Sequence, residues 1–452
     1  MRMRSLAAAV LIAALPLGAL AAPVQLDPPQ MREAARIAVD GGRDAAALAM
    51  ADALLLRDPE DVFALLIRSR ALRGLGRFDA AIAAAQSAWD LADSDAQSFD
   101  AARVMAQALS SAGRRSRAQF WLRRAAEAAP NDGFRDVAIR DYRYVRARNP
   151  LQTSLTFAIT PSSNVNGGSS EEEAVLFGLP FVLGGATRAL SGTQVTAGAE
   201  LRYRLPATRR VQDEFSVAGQ TQHAVLSDAA RDQAPDASNG DFTYTTLDLA
   251  WRRVFADAEA RRGYNATTVT LGQGWYGGDP LSHRLRLDAE RVQRIGGGAE
   301  LRLGGHLQYE EFDTANSPPV LKFGLAGGTV RRIEGVGLLR LDLETAVSRS
   351  DNVALDYRSV RGSVEYRPDR PILSTELTLS ASLKMQDFDA SSFATGGRFD
   401  STATLGAEML FREIESHGFS PVLSVTGAWR SSDIDLYDSE TLGLRLGLRS
   451  SF

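Results

Sequence analysis

The chain has 452 residues, 44% hydrophobic and 23% charged, enough for two or three domains of ordinary folded composition. A formal net charge of -4 excludes a strongly basic surface for nucleic acid. The absence of cysteine excludes disulfides, thiolate metal sites and a lipidated N-terminal cysteine.

The N-terminus places Arg2 and Arg4 before a short apolar run and a small-x-small site at Ala19-Leu20-Ala21. This is the pattern of a secretory signal peptide over 1–21, cleaved after Ala21. No later apolar stretch reaches the about twenty residues a membrane-spanning helix needs.

From Met31 to Arg148 apolar residues recur at three- and four-residue spacing, as amphipathic helices require. Gly42-Arg43-Asp44-Ala45-Ala46 and Gly76-Arg77-Phe78-Asp79-Ala80-Ala81 lie thirty-four residues apart, and Gly113-Arg114 follows thirty-seven beyond Gly76. A thirty-four-residue period with a turn glycine at Gly42, Gly76 and Gly113 predicts tetratricopeptide-like helical hairpins over 22–150, each burying its apolar face on the next. Such arrays hold an extended peptide or a partner helix, or serve as a spacer. Arginines crowd 114–148, a solvated face or a surface for anionic headgroups or an acidic client.

Asn149-Pro150 ends the helices, because a residue before proline leaves the helical region. Thereafter the period is two: Val195, Ala197, Ala199, Leu201 and Tyr203 alternate with Thr196, Gly198, Glu200, Arg202 and Arg204. This reading places about fourteen strands near 152–160, 193–205, 213–223, 243–254, 264–272, 282–292, 299–309, 321–330, 336–346, 357–366, 374–385, 398–410, 420–429 and 440–452. Connections near 161–192, 224–242, 273–281, 310–320, 347–356, 386–397 and 430–439 read as long and polar, and the alternate ones as mostly shorter. The last strand carries Leu442, Leu444, Leu446, Leu448 and Phe452 on one face and Arg445 and Arg449 on the other. The fold class expected is therefore α + β in two domains, with an antiparallel transmembrane β-barrel over 151–452 whose greasy face meets lipid. A soluble sandwich is the competing architecture. Tyr203, Trp251, Tyr366 and Phe411 at one rim, and Tyr309 and Trp429 at the other, are the expected interfacial girdles.

No nucleophile elbow, phosphate loop or spaced metal-ligand cluster is present, so no enzyme, metal or cofactor is expected. His283 near Asp279 is read as a surface histidine, and His223, His306 and His417 as loop or lumen residues. Arg202, Arg204, Arg284, Arg286, Arg340, Asp342, Glu344, Arg361, Glu365, Arg445 and Arg449 are candidate lumen charges, expected to pair with one another more than to form a selective filter.

After the first strand stands Phe157-Ala158-Ile159-Thr160-Pro161-Ser162-Ser163-Asn164-Val165-Asn166. Pro161, Ser163, Asn164 and Asn166 resemble the motif that opens the barrel of the surface lipoprotein assembly modulator (Slam) family, the type XI secretion proteins. The resemblance extends over the mature chain. It implies a periplasmic helical domain that engages a client lipoprotein or secreted protein, and an outer-membrane barrel that passes it. The motif residues have no implied chemical role; asparagines shaping the first long loop are the favoured reading. The partners expected are outer-membrane lipid, the client and the barrel assembly machinery that receives the C-terminal strand, with no nucleic acid and a monomeric state. A polysaccharide exporter and a passive diffusion porin are the alternatives.

Overall fold

The computed structural model describes residues 26–177, 179–257, 262–313, 317–414, 416 and 418–450. The segment 1–21 expected to be a signal peptide, His417 and Phe452 lie outside the described residues. The chain divides into two compact units, one through Ala112 and one from Gly113 onward.

The first unit holds α1 (Pro28–Asp40), α2 (Asp44–Arg57), α3 (Val62–Gly74), α4 (Phe78–Asp90) and α5 (Asp95–Ser111). Gly42 and Gly76 sit at φ +71° and +75°, just past α1 and α3. After α3 the Gly76 N–H donates to Arg73 O at 3.0 Å and the Arg77 N–H to Leu72 O at 2.8 Å. That is the Schellman closure, which needs a left-handed residue and so selects glycine. The core is built of small residues: Ala35, Ala38, Ala47, Ala51 and Ala71 pack with Val39 and Ile67, and alanine knobs let the helix axes approach. Asp61 caps α3 through the Ala64 N–H and accepts from Arg32 at 2.7 Å. The longer second interval between turn glycines follows from α5, which has 17 residues where α3 has 13.

The second unit begins with α6 (Arg115–Glu127) and α7 (Asp132–Arg148), which pair with each other. Asn131 caps α7 through the Phe134 N–H. Helix to strand turns over at Asn149, as the sequence predicts, whereas the boundary between compact units falls between Ala112 and Gly113.

Fourteen antiparallel strands then close a barrel: β1 (Leu151–Ser162), β4 (Gly192–Arg204), β5 (Val211–Leu226), β6 (Tyr244–Ala256), β7 (Gly263–Tyr276), β8 (Asp279–Ile295), β9 (Ala299–Phe312), β10 (Val320–Ile333), β11 (Gly337–Ser350), β12 (Tyr357–Pro368), β13 (Glu376–Phe388), β14 (Arg398–Leu410), β15 (Phe419–Ser432) and β16 (Ser439–Ser450). The first long loop adds a hairpin, β2 (Glu173–Leu176) and β3 (Leu179–Val182), and the loop after β5 adds the short helix α8 (Asp228–Gln233). Sequence reasoning found neither. β1 pairs along its whole length with β4 and through Ala158, Ile159 and Ser162 with β16, which closes the sheet into a barrel.

One sequence expectation is overturned here. The long polar connection near 273–281 is a two-residue turn, Gly277-Gly278, with β7 and β8 extended to meet it. Both glycines have positive φ, +61° and +95°, as a tight hairpin turn requires. The register shift between Gly274 and Trp275 lies beside Pro280, which has no N–H to give the ladder.

Candidate functional site

The outer face of the barrel is aliphatic and bare. Leu155 is 69% exposed, Leu442 62%, Leu446 52% and Leu448 55%, and Leu201, Leu249, Leu287, Leu303, Leu343 and Leu405 continue the band around the other strands. A contiguous apolar band on this scale is not left facing water. With every strand hydrogen-bonded to two neighbours in a closed ring, this is the architecture of outer-membrane barrel proteins. Tyr203, Tyr309 and Trp429 are exposed at the rims. The Trp251 N–H donates to Asp213 at 3.0 Å, and the Tyr366 hydroxyl to Val336 O at 3.0 Å. No helix among the described residues is long and apolar enough to cross a membrane.

The inward face carries charge of both signs, mostly in pairs. Arg202 bonds Glu200 at 2.7 Å, Arg286 bonds Asp288 at 2.7 Å, and Arg340 bonds Asp342 at 2.6 Å, each two residues along one strand. Arg284 reaches Asp248 at 2.5 Å and Arg449 reaches Glu408 at 2.8 Å across strands. Arg204 donates to the Asn149 carbonyl at 3.0 Å, and Arg361 to Ser382 Oγ at 3.4 Å. Glu344 stands opposite Arg361 in the β11–β12 register, and Glu365 opposite Arg340. Arg445 stands opposite Ser424. The partners Glu200, Asp248, Asp288 and Glu408, and the further pairs Arg252–Glu290 and Arg302–Glu300, were not singled out from sequence. They sit at the same inward positions of the two-residue period, which was the signal available. These side chains remain about a third exposed, so each pair adds about 1 kcal/mol or less, and the lining is a hydrated, mixed-sign wall. A cavity of about 590 Å³ lies along it, between Glu365, Glu408, Arg445 and Arg449.

At the long-loop end the first loop is folded by its asparagines. Asn164 donates to Gly168 O at 2.8 Å and accepts from the Gly168 N–H at 3.1 Å. Asn166 donates to Ala186 O at 2.7 Å and Arg188 O at 2.9 Å, and accepts from the Leu190 N–H at 2.8 Å. Ser163 exchanges two bonds with Leu442, its N–H donating at 3.0 Å and its Oγ accepting at 2.9 Å. Pro161 precedes this clip and has no N–H. Val165 and Leu190 join Ala224, Leu226, Ala230 and Ala234 in a small buried core above the strands. The loop then reaches over neighbouring strand ends: Ser169 Oγ donates to Asp435 O, the Ser170 N–H to Asp438 O, and the Phe177 N–H to Phe393 O.

A buried ionic cluster holds those far loops. Asp400, 1% exposed, accepts from Arg430, from Ser432 Oγ at 2.7 Å, and pairs with Arg398 at 3.1 Å. The Arg398 guanidinium lies between the Phe388 and Tyr437 rings, 3.9 and 3.6 Å from their centroids. Nearby, burial pushes the Asp438 carboxyl above the ordinary aspartate range, against the Ser432 N–H bond that favours its charge. His283 pairs with Asp313 at 3.2 Å, not with Asp279, and His223 Nδ1 meets Thr243 Oγ1 at 2.7 Å.

At the short-turn end α6 and α7 are fastened to the barrel by Arg123, which donates to Gly418 O at 2.9 Å, Ser450 Oγ at 2.8 Å and the Tyr142 hydroxyl at 3.0 Å. Its guanidinium also covers the Phe419 ring at 4.5 Å.

No protein-family model matches the chain, and no curated protein matches it. Among solved structures, the Yersinia enterocolitica type III secretion translocator chaperone SycD is similar over 26% of this chain and 83% of its own, at 19% identity and TM-score 0.24. An outer-membrane channel from Pseudomonas putida F1 is similar over 65% of this chain and 95% of its own, at 12% identity and TM-score 0.34. Acinetobacter baumannii OccAB4 is similar over 66% of this chain and 98% of its own, at 9% identity and TM-score 0.35. At TM-scores this low the likeness adds nothing to the geometry above.

Proposed function

We propose that this chain is an outer-membrane translocator that moves specific lipoproteins or soluble proteins from the periplasm to the cell surface or exterior, with the helical domain binding the client and the barrel passing it. The observation that supports this reading is the coupling, in one chain, of helical hairpins of the kind that hold peptides to a barrel with a hydrated, mixed-sign lumen. The short-turn end, with α6 and α7, lies on the periplasmic side, and the long loops lie outside. Export draws on client binding and folding, since the periplasm offers no nucleotide. A polysaccharide exporter fits less well, because the inward rows mix Arg with Glu and Asp instead of presenting aromatic platforms of one charge sign. A diffusion channel needs no helical array.

The test removes residues 26–112 and retains the compact unit that begins at Gly113. Protease shaving of intact cells followed by mass spectrometry then reports which proteins leave the surface. The reading predicts loss of one or a few named surface or secreted proteins with barrel conductance retained. An unchanged surface proteome is incompatible with it.

A further inference from the structure

The barrel is not sealed evenly. β1 pairs with β4 at every residue from Leu151↔Tyr203 to Ser162↔Gly192, and β16 pairs with β15 from Phe419↔Ser450 to Arg430↔Ser439. Between β1 and β16 the register partners are Ala158↔Gly447, Ile159↔Leu446 and Ser162↔Gly443, with the Ser163–Leu442 clip above. The same register would set Phe157, Thr156 and Leu155 opposite Leu448, Arg449 and Ser450. All six are described residues and no register pair joins them; above Ala158 the same register lacks only Thr160↔Arg445 and Pro161↔Leu444, at a proline that has no N–H to give. In hydrocarbon an unpaired strand edge is tolerated only where it lines a cavity that water or a passenger can fill. Such a cavity is present, about 720 Å³, filling the gap in the seam.

Its walls join two environments. Leu155, Phe157 and Leu448 belong to the bare aliphatic band, while Glu408, Arg445 and Arg449 belong to the lumen. Phe120 and Arg123 of α6 close the lower end. Glycine at Gly443 and Gly447 keeps the inner wall thin beside β1; a Cβ at Gly447 would stand 3.2 Å from the Phe157 carbonyl oxygen. The opening thus runs from the lipid face to the polar lumen, at the leaflet next to the short turns.

We propose that the lower half of the β1–β16 seam is a lateral portal that admits the acyl chains of a lipid-anchored client from the adjacent leaflet while its polypeptide follows the lumen. The inference rests on the translocator reading and assigns the client class: lipidated rather than soluble. The aliphatic wall takes the chains, and the charged lumen, which hydrocarbon would avoid, takes the peptide.

The native chain has no cysteine, so engineered pairs are clean. The full-length protein carrying Phe157→Cys and Leu448→Cys is reconstituted in phosphatidylethanolamine vesicles with a diacylated lipopeptide bearing a diazirine acyl chain; a parallel sample carries the diazirine on the phospholipid. Irradiation and peptide mapping locate the crosslinks. The portal predicts lipopeptide crosslinks to lumen residues such as Ser424 when the pair is reduced, and their loss when it is oxidised. The control pair Val360→Cys and Met385→Cys, register partners on β12 and β13, leaves them in place on oxidation. If the seam disulfide does not form, Leu155→Cys blocked with a benzyl thiosulfonate fills the same opening. Lumen crosslinks from the phospholipid alone, crosslinks confined to the outer band, or crosslinks indifferent to both blocks overturn the proposal. Surface shaving after deletion of 26–112 reads the translocator function separately, so a soluble client would leave that function standing and the portal refuted.

Discussion

Asp400→Ala strands Arg398. Asp400 is 1% exposed and Arg398 9%, so removing the carboxylate leaves the Arg398 guanidinium buried without its counter-charge. Breaking a buried pair from one side costs about 3–5 kcal/mol. Arg430 is 32% exposed and regains water, and Arg398 keeps the faces of Phe388 and Tyr437, so the lower end, about 3 kcal/mol, applies. The assay is urea unfolding in detergent micelles followed by tryptophan fluorescence, with Arg398→Ala and the double variant completing a cycle. Adding Arg398→Ala to Asp400→Ala should cost little more or recover stability, because it removes the stranded charge. A loss below about 1 kcal/mol for Asp400→Ala, or full additivity, refutes the reasoning that this cluster is a buried ion pair.

Asn166→Ala leaves Ala186 O, Arg188 O and the Leu190 N–H without their side-chain partner and should cost about 1–3 kcal/mol locally; hydrogen exchange should rise across 163–191 and not in the strands. Gly76→Ala has room around it but must hold φ near +75°, so the helical melt followed by circular dichroism should lose about 1 kcal/mol; an unchanged melt contradicts the Schellman assignment. Because Asp438 has a raised folded-state value, its neutral form is the one the fold prefers. Its contribution is fully present below the ordinary aspartate value of 3.8 and is lost as pH rises through the folded value. Asp438→Asn should flatten that part of the stability–pH curve relative to wild type, and parallel curves would show that Asp438 is not the group involved.

All fourteen barrel strands stand within a few residues of their expected spans, because strict alternation such as Leu442 to Leu448 can be satisfied only by a two-faced strand. Whether that face meets a core or lipid depended on closure, which the Leu446 exposure and the β1–β16 pairing together establish. The 273–281 region was misread because Gly272, Gly274, Gly277 and Gly278 all look like turn residues locally, while cross-strand pairing decides which of them turn. The hairpin β2–β3 was illegible because Gly178 and its neighbours carry no alternation long enough to register a strand. The lumen arginines were readable from period alone, but their acidic partners depended on register. The Arg398–Asp400–Arg430 cluster and the gap below Ala158 were out of reach for the same reason: both arise from which residues two strands place side by side.

The proposed placement is a bilayer-spanning barrel with its long loops outside the cell and its short turns in the periplasm. Single cysteines at Val353, in the connection between β11 and β12, and at Glu334, in the turn between β10 and β11, probe the two ends in a chain otherwise free of thiols. A membrane-impermeant maleimide applied to intact cells should label Val353→Cys at once and Glu334→Cys only after the outer membrane is permeabilised. Equal labelling of both without permeabilisation, or the reverse order, contradicts the account.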